Sequence, residues 1–347
     1  MSKKNETAPK KKRTGRTVAL VLVSVLWVLL LCGAGVLFYL HSMLNQINRT
    51  PITGNASLTE SEIYQEEEKH PNVSDSVEKI EESKENYEEV KNTEVFNEAG
   101  VENILLVGSD RRSTNENGRA DSTMILSINH HTGKIHLVSL MRAMYVYIPR
   151  SYGDTWGMLN AAYSWGGPQM LIDTVEANFR IHIDHYIVVD FSSFQKAIDS
   201  VGGVEITLTD DEAAYLSLPA GTQTLDGKQA LNYSRIRYID NDFVRTSRQR
   251  TVIAALLTKA RSQSLTGLIN MANEILPLLS TDMSNSQVLG YVSQAGTLLG
   301  YPVSSMMLPV ENQDGDHYIG MMYVYGSEVY QVDFANNIAR LHSFLRS

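Results

Sequence analysis

The sequence has 347 residues, with 30 lysines and arginines against 39 aspartates and glutamates, a formal net charge of −9 and one cysteine. That length allows one large domain or two ordinary ones. The acidic balance excludes a nucleic-acid backbone as the main partner, and a single cysteine excludes a disulfide framework.

Residues 17–40, TVALVLVSVLWVLLLCGAGVLFYL, run for 24 positions without a charge. As a helix this segment is about 36 Å long, enough to cross the hydrocarbon core with some tilt. Residues 1–16 carry seven Lys/Arg and one acid, which sets the expectation that the N-terminus is cytoplasmic. The apolar run is too long for a signal peptide, and no small-x-small cleavage site closes it. The expected topology is an uncleaved, single-pass anchor with everything beyond it on the extracellular face of the cell membrane. Without residues 1–16 the chain holds 23 basic and 38 acidic residues, a net of −15. Cys32 falls inside the anchor, so the outer region has no thiol nucleophile, which suits a Gram-positive surface protein.

Residues 41–96 read as an acidic extracellular linker or stalk. Within it, 59–95 holds 13 Asp/Glu against 4 Lys and few large apolar residues, too few to bury a core alone. Val73, Val77, Ile80, Tyr87 and Val90 are spaced for a short stalk helix; a solvated spacer is the preferred reading. Residues 97–347 contain no low-complexity break and read as one domain.

NILLVG (103–108) is a continuous apolar run of the kind found in strands buried on both faces. STMILSIN (122–129) and KIHLVSL (134–140), separated by HHTG, predict a hairpin. PQMLIDTVEANF (168–179) predicts a helix opened by proline, with Leu171, Val175 and Phe179 inward. It leads to a buried strand HYIVVDF (185–191), a short helix over 192–203 and a strand VEITL (204–208). Residues 251–300 read as largely helical and 301–335 as strand-rich. Alternating helices and buried strands predict an α/β fold: a layered α/β/α domain with a mixed central β-sheet, preceded by one transmembrane helix.

The chemistry concentrates in YSRIRYIDNDFVRTSRQR (233–250). Read as a strand, YSRIRY puts Tyr233, Arg235 and Arg237 on one face. Asp242 then serves as the N-cap of a helix on which Arg245 and Gln249 share a face at i, i+4, with Arg248 as neighbour. Guanidinium groups converging near a helix N-terminus suit a phosphate or pyrophosphate, because their forks bind phosphate oxygens bidentately. Arg250 reads as a surface residue. Upstream, Asp110 and Asp121 stand at the ends of adjacent strands, where they either share a hard cation such as Mg²⁺ or cap the loop between them. Arg142 lies between apolar neighbours and requires an anionic partner. There is no P-loop and no G-x-S-x-G nucleophile elbow. His182 and His185 flank a strand at a spacing that points them to opposite faces, and His130 and His131 fall in the predicted turn.

The segments NILLVGSD, GRADSTMIL, VSLMRAMYVYIP, LNAAYSWGG, IDHYIVVDFSSF, VGGVEI, LDGKQALNYSRIR and DFVRTSRQ, in this order, resemble the LytR–CpsA–Psr family of bacterial cell-wall glycopolymer ligases. The resemblance covers about residues 103–250. It implies an enzyme, a phosphotransferase that moves a glycopolymer such as teichoic acid or capsule from an undecaprenyl-pyrophosphate carrier to peptidoglycan, with Mg²⁺ as cofactor. It further implies that Asp110 and Asp121 bind the metal. Arg142, Arg235, Arg237 and Arg245 would hold the pyrophosphate, with Asp242 and Gln249 ordering them. The family's lipid tail lies in an apolar tunnel beneath the sheet, for which Val188, Phe191 and Phe194 are lining candidates.

Two positions depart from the family pattern. Ala143 follows Arg142 where the family usually has aspartate, and Met158 precedes LNAAY where it usually has lysine. These departures keep open a second function class, a non-catalytic polyprenyl-pyrophosphate-binding regulator of envelope assembly.

Overall fold

The computed structural model describes residues 38–55, 74–111, 118–150, 155–237, 239, 241–310 and 320–347. The expected anchor falls on residues 17–37, outside the described residues, and on 38–40. Among the described residues no helix is long and apolar enough to cross a membrane. The chain divides into two compact units, Met1–Gln46 and Ile47–Ser347; the second is described below.

Its elements in chain order are α1 (Val77–Val90), β1 (Val101–Ser109), β2 (Ala120–Asn129), β3 (Lys134–Leu140), β4 (Tyr145–Ile148), β5 (Thr155–Met158), α2 (Leu159–Phe179), β6 (His185–Asp190) and α3 (Phe191–Ser200). There follow β7 (Val204–Leu208), α4 (Asp210–Leu216), β8 (Gly221–Leu225), α5 (Gly227–Ser234), α6 (Asp242–Arg261), α7 (Leu265–Ile275), a 3-10 turn (Leu276–Leu278), β9 (Ser280–Thr281), α8 (Asn285–Leu298), β10 (Val303–Leu308), β11 (Met321–Val324), β12 (Ser327–Tyr330) and α9 (Phe334–Arg346).

The six-stranded sheet has the order β10-β3-β2-β1-β6-β9. β1 pairs antiparallel with β2 and parallel with β6, and β2 and β3 form the expected hairpin. The sheet is therefore mixed, with β1, β3, β6 and β10 running the same way. The apolar run of NILLVG is explained by its place inside the sheet, where both faces are covered. Leu105 and Val107 enter the main core with Ile125, Val138 and Val188, against Leu171, Val175, Phe179 and Phe334. Leu106 and Gly108 face the other side, where Leu231 of α5 and Val252 of α6 bound a cavity. β6 is not the fully buried strand its sequence suggests. Only Val188 is buried, because Ile187 and Val189 project into that cavity.

Residues 77–90 correct the spacer reading. Ser83, Tyr87 and Val90, at i, i+4 and i+7, form a buried stripe on α1. Tyr87 stacks on Tyr147 with centroids 4.8 Å apart and meets Trp156 and Phe334 edge-on at 5.5 and 5.7 Å. The acids of α1 occupy the solvated face while this aromatic cluster draws the helix into the main core, so the folded domain begins well before residue 97.

α2 is two helical segments joined at Gly167, whose φ of 67° and ψ of −158° are essentially glycine-only. Pro168 thus stands at the first position of the second segment, where its missing N–H costs nothing. A Cβ at Gly167 would lie 2.1 Å from the Ile52 carbonyl oxygen.

A second core gathers Ile198 of α3, Val204, Ile206 and Leu208 of β7, Leu225 of β8, Ala230 and Tyr233 of α5 and Val252 of α6. Its helices are fixed by their starts: Thr209 with Glu212, and Asp226 with Gln229, form complete capping boxes. Glu212 also accepts a 2.7 Å bond from Arg248 Nε, with the two side chains 8% and 4% exposed. Arg248 Nη1 reaches the Ile236 carbonyl at 3.5 Å, so the pair ties α4 and α6 to the turn that follows α5.

Gly167→Ala should destabilise the protein by about 3 kcal/mol or more, adding a steric clash to a forbidden dihedral; denaturant titration reads this directly, and a loss within error would contradict the close approach to Ile52. Glu212→Ala should cost about 3–5 kcal/mol by stranding a buried guanidinium. The same titration checks it, with Glu205→Ala, an exposed acid on β7, as a control expected to stay within about 0.5 kcal/mol.

Candidate functional site

The carboxyl ends of β1, β3 and β6 meet at one edge of the sheet, the position where open α/β sheets receive ligands. Antiparallel β2 begins at this edge and contributes Asp121, while Arg142 follows β3 by two residues. α6 supplies its first turn. Its N-cap is Asn241, whose side chain accepts from Val244 N at 3.1 Å. Asp242 is therefore the first helical residue rather than the cap. The one-residue shift leaves its carboxylate to the arginines.

Asp242 Oδ2 receives Arg245 Nη2 at 2.9 Å, and Arg245 Nη1 lies 2.8 Å from Oδ1. Arg142 stands between two carboxylates, with Nε 3.9 Å from Asp242 and Nη1 3.9 Å from Asp121. Gln249, one turn after Arg245, donates to the Asp121 carbonyl at 3.4 Å. The helix step of four thus brings Arg245 and Gln249 to one place.

Charge does not balance here. Among the described residues Arg142, Arg235, Arg237 and Arg245 stand with Asp121 and Asp242, four cations and two anions. Arg245 is 3% exposed and its Nε has no hydrogen-bond acceptor among the described residues. Burial, with repulsion from Arg142 and Arg237, pushes its guanidinium down to about 10 despite the attraction of Asp242 and Asp121. An anion brought into the cluster relieves this strain, because a buried cation short of counter-charge gains most from one.

The cluster stands against a cavity of ≈ 220 Å³. Paired rows of the sheet form its wall: Ser122, Gly108 and Val189 nearest the arginines, then Met124, Leu106 and Ile187. Phe191 and Phe194 of α3 complete the apolar lining with Leu231, Val252 and Ile253. Val188, the third lining candidate, points the opposite way into the main core. Strand parity separates it from its neighbours.

YSRIRY is not a strand. Tyr233 and Ser234 end α5, Arg235 is its C-cap residue, and Ile236 and Arg237 follow without regular structure. The Asp226–Gln229 capping box starts a helix that the period-2 reading overlooked. Tyr233 and Ile236 bury their side chains in the second core, and Arg235 and Arg237 remain exposed beside the cavity. Arg235 packs its guanidinium over the Phe191 ring at 4.6 Å. Both arginines reach the cavity wall by a different backbone route from the one expected.

Other candidates fall elsewhere. Asp110 lies outside the cavity wall at the base of the loop after β1, where its side chain accepts from Arg119 N and its own N–H donates to the Arg119 carbonyl at 3.1 Å. Arg248 is committed to Glu212. Arg250 is half-buried rather than a surface residue, and burial lowers its pKa. His182 pairs with Glu176 at 2.9 Å and His185 with Asp282 at 3.2 Å, each with its own carboxylate. Among the described residues no group of three or more His, Cys, Asp or Glu is arranged to hold a metal. Ala143 packs against the main core and Met158 is 1% exposed; neither offers the site a polar group.

Tyr330 was not legible as a site residue. β12 reaches the cluster through Tyr330 N–H, which donates to the Ala143 carbonyl at 2.9 Å. Burial, Asp242 and Glu328 push the Tyr330 hydroxyl up to about 12, against the opposing pull of Arg245 and Arg142. No local pattern links SEVYQV to Ala143 or Asp242, both far upstream in the sequence.

Three comparisons bear on ancestry. A teichoic acid transferase of Oceanobacillus iheyensis, named polyisoprenyl-teichoic acid–peptidoglycan teichoic acid transferase TagU, is 38% identical over 199 residues, 55% of this chain and 60% of its own. The match thus spans less than two thirds of that relative. The Bacillus subtilis protein of the same name is 30% identical over 266 residues, 75% of this chain and 74% of its own. The fold matches that of YwtF (TagT) with bound octaprenyl pyrophosphate lipid, a LytR-CPS2A-psr family protein, at a TM-score of 0.55 and 21% identity, over 74% of this chain and 96% of that one. The model of the LytR_cpsA_psr family matches residues 62–339, and the chain belongs to that family.

Proposed function

We propose that the protein is a membrane-anchored phosphotransferase that takes a glycopolymer from a polyprenyl-pyrophosphate carrier, undecaprenyl in the cell, and joins it to peptidoglycan outside the membrane. One observation carries this reading: an arginine cluster stands at the end of an apolar cavity. A ligand that fits both parts has a strongly anionic head and a hydrocarbon tail. The names of the relatives, teichoic acid transferases, favour teichoic acid over capsule as the glycopolymer.

In this reading the tail occupies the cavity, and Arg142, Arg235, Arg237 and Arg245 receive the pyrophosphate oxygens. Asp242 keeps Arg142 and Arg245 in place, and Gln249 fixes the edge of β2. A peptidoglycan hydroxyl attacks the phosphorus that bears the glycopolymer. A new P–O bond forms, and the bond from that phosphorus to the bridging oxygen breaks. The leaving group is the polyprenyl phosphate, whose growing negative charge the arginines neutralise. The hydroxyl proton passes to a carboxylate at the sheet edge, with Asp121 in the cavity wall and Asp110 at the loop base as the two candidates.

Mg²⁺ fits the chemistry of these donors, since it binds one or two carboxylates together with phosphate oxygens. Asp121 and Asp110 would hold it, and it would supply further positive charge against the phosphates.

A second reading, a polyprenyl-pyrophosphate binder without transfer activity, rests on Ala143 and Met158, which leave the site without a carboxylate and a cation usual in the family. Incubating the full chain with lipid-linked glycopolymer, Mg²⁺ and peptidoglycan separates the two. Radiolabelled polymer should become covalently attached to peptidoglycan. Saturable lipid binding with no attachment and no release of polyprenyl phosphate would replace the enzyme with the binder.

Arg235→Ala and Arg237→Ala should each weaken polyprenyl-pyrophosphate binding by about tenfold to a hundredfold, the loss of one charged hydrogen bond, while changing stability by less than about 0.5 kcal/mol because both are exposed. Arg250→Ala should leave affinity within about twofold because the residue is absent from the cavity wall. Titrating a fluorescent prenyl pyrophosphate measures all three, and equal losses would indicate a diffuse basic surface instead of a shaped site.

A further inference from the structure

The 19 residues from 263 to 281 contain one ionisable side chain, Glu274. They form α7, the 3-10 turn and the start of β9. Leu268, Ile269, Met271, Ile275, Leu276 and Leu278 are all half-exposed, and no described side chain of α7 or the turn is buried. An apolar helix of a water-soluble domain normally buries its apolar stripe. This one packs against α3, the helix that gives Phe191 and Phe194 to the cavity, and its apolar side chains stay half-buried. Apolar side chains left half-buried along a whole helix gain burial from a further apolar partner.

Two connections identify what covers it. The first is the chain's own tether. Asn48 N–H donates to the Leu279 carbonyl at 3.3 Å, Thr281 N–H donates to the Asn48 carbonyl at 3.2 Å, and Arg49 Nε donates to the Met283 carbonyl at 2.8 Å. The uncharged stretch read as the membrane span ends at residue 40. The eight residues from there to Asn48 reach at most about 28 Å when fully extended. The sheet edge that follows the turn is thus tied to a point eight residues along the chain from that stretch.

The second connection is the direction of the cavity. Its rows run from Ser122, Gly108 and Val189 beside the arginines to Met124, Leu106 and Ile187. Ile187 is in register with Thr281 of β9, and Val188 with Ser280. The end of the cavity away from the arginines therefore lies beside the strand that follows the turn Leu276–Leu278.

We propose that α7 and the 3-10 turn dock on the outer leaflet of the lipid bilayer as an apolar interfacial patch, beside the tail end of the cavity. The proposal rests on the reading of residues 17–40 as a membrane anchor. With no lysine or arginine between 262 and 300, docking is driven by apolar burial and not by attraction to anionic headgroups, and salt does not release it. A polyprenyl tail bound in the cavity then passes to the bilayer without crossing water.

The test uses the full chain with Cys32→Ser, which removes the only cysteine, and a bimane probe at Met271→Cys or, in a second variant, Leu278→Cys. The control probe is at Tyr215→Cys, an exposed position on α4. Each is reconstituted in nanodiscs of phosphatidylethanolamine and phosphatidylglycerol carrying doxyl-labelled lipid. Probes at 271 and 278 should be quenched by the doxyl lipid at least about twofold more than the control and be protected from aqueous iodide by a similar factor, as for a side chain within the interface. High salt should change neither result.

Equal doxyl quenching at 215 and 271 overturns the docking. Protection from iodide without doxyl quenching also overturns it and identifies a second copy or another protein segment as the cover. If the chain fails to enter nanodiscs, the anchor reading falls and the docking with it. Binding of a prenyl pyrophosphate by the same samples is measured separately, so loss of the proposed function is told apart from loss of the docking.

Discussion

Asp242 holds two arginines, and the site takes its shape from that grip. Arg142 comes from the end of β3 and Arg245 from α6, elements on different layers of the fold. One carboxylate at the first position of α6 contacts both guanidinium groups. It is not used as the helix cap because Asn241 performs that task one residue earlier. Had Asp242 capped the helix, its oxygens would face backbone N–H groups, and Arg245 would be buried without a counter-charge at a cost of several kcal/mol. Even so, the cluster is left with more positive than negative charge. In the proposed function this excess, counted over the described residues, is what an anionic head group would neutralise.

The second constraint is less direct. Arg235 and Arg237 belong to the turn that ends α5, where Arg235 N–H donates to the Asn232 carbonyl and Ile236 N–H to the Tyr233 carbonyl. The turn is fixed from below, because Ile236 buries its side chain in the second core and its carbonyl meets Arg248, which is locked to Glu212. Two exposed arginines thus inherit their position from a buried ion pair that touches no ligand. A buried pair adds little to stability compared with apolar residues of the same volume, yet breaking it strands a charge. The arrangement trades stability for placement of the turn.

Much of this was readable in the sequence, and the misses share a cause. The central strand and its hairpin were legible because NILLVG and the two runs around HHTG state their periodicity locally. Arg245 and Gln249 were legible because a helix step of four is a local rule. What was lost depended on partners distant in sequence. Val188 misses the cavity that Ile187 and Val189 line, because parity relative to the cavity is set only when β6 pairs with β1. YSRIRY looked like a strand because its arginines alternate, but the stronger signal was upstream, in the Asp226–Gln229 capping box. Acidic residues 77–90 looked like spacer until Tyr87 met Tyr147, Trp156 and Phe334, none of them near in sequence. Tyr330 had no local signal at all.

Ala143 and Met158 sharpen the question of catalysis more than that of binding. Both positions sit against the main core, where a charged side chain would have to emerge toward the arginines to avoid desolvation. Without them the cluster keeps its four guanidinium groups, on which the proposed binding of a diphosphate rests. Turnover asks for more, because only interactions stronger in the transition state than in the bound carrier accelerate transfer. Arg245, buried and short of an acceptor, is the group best placed to give such a differential. In the proposed transfer its Nε–H, which has no acceptor among the described residues, would gain most as charge grows on the departing phosphate.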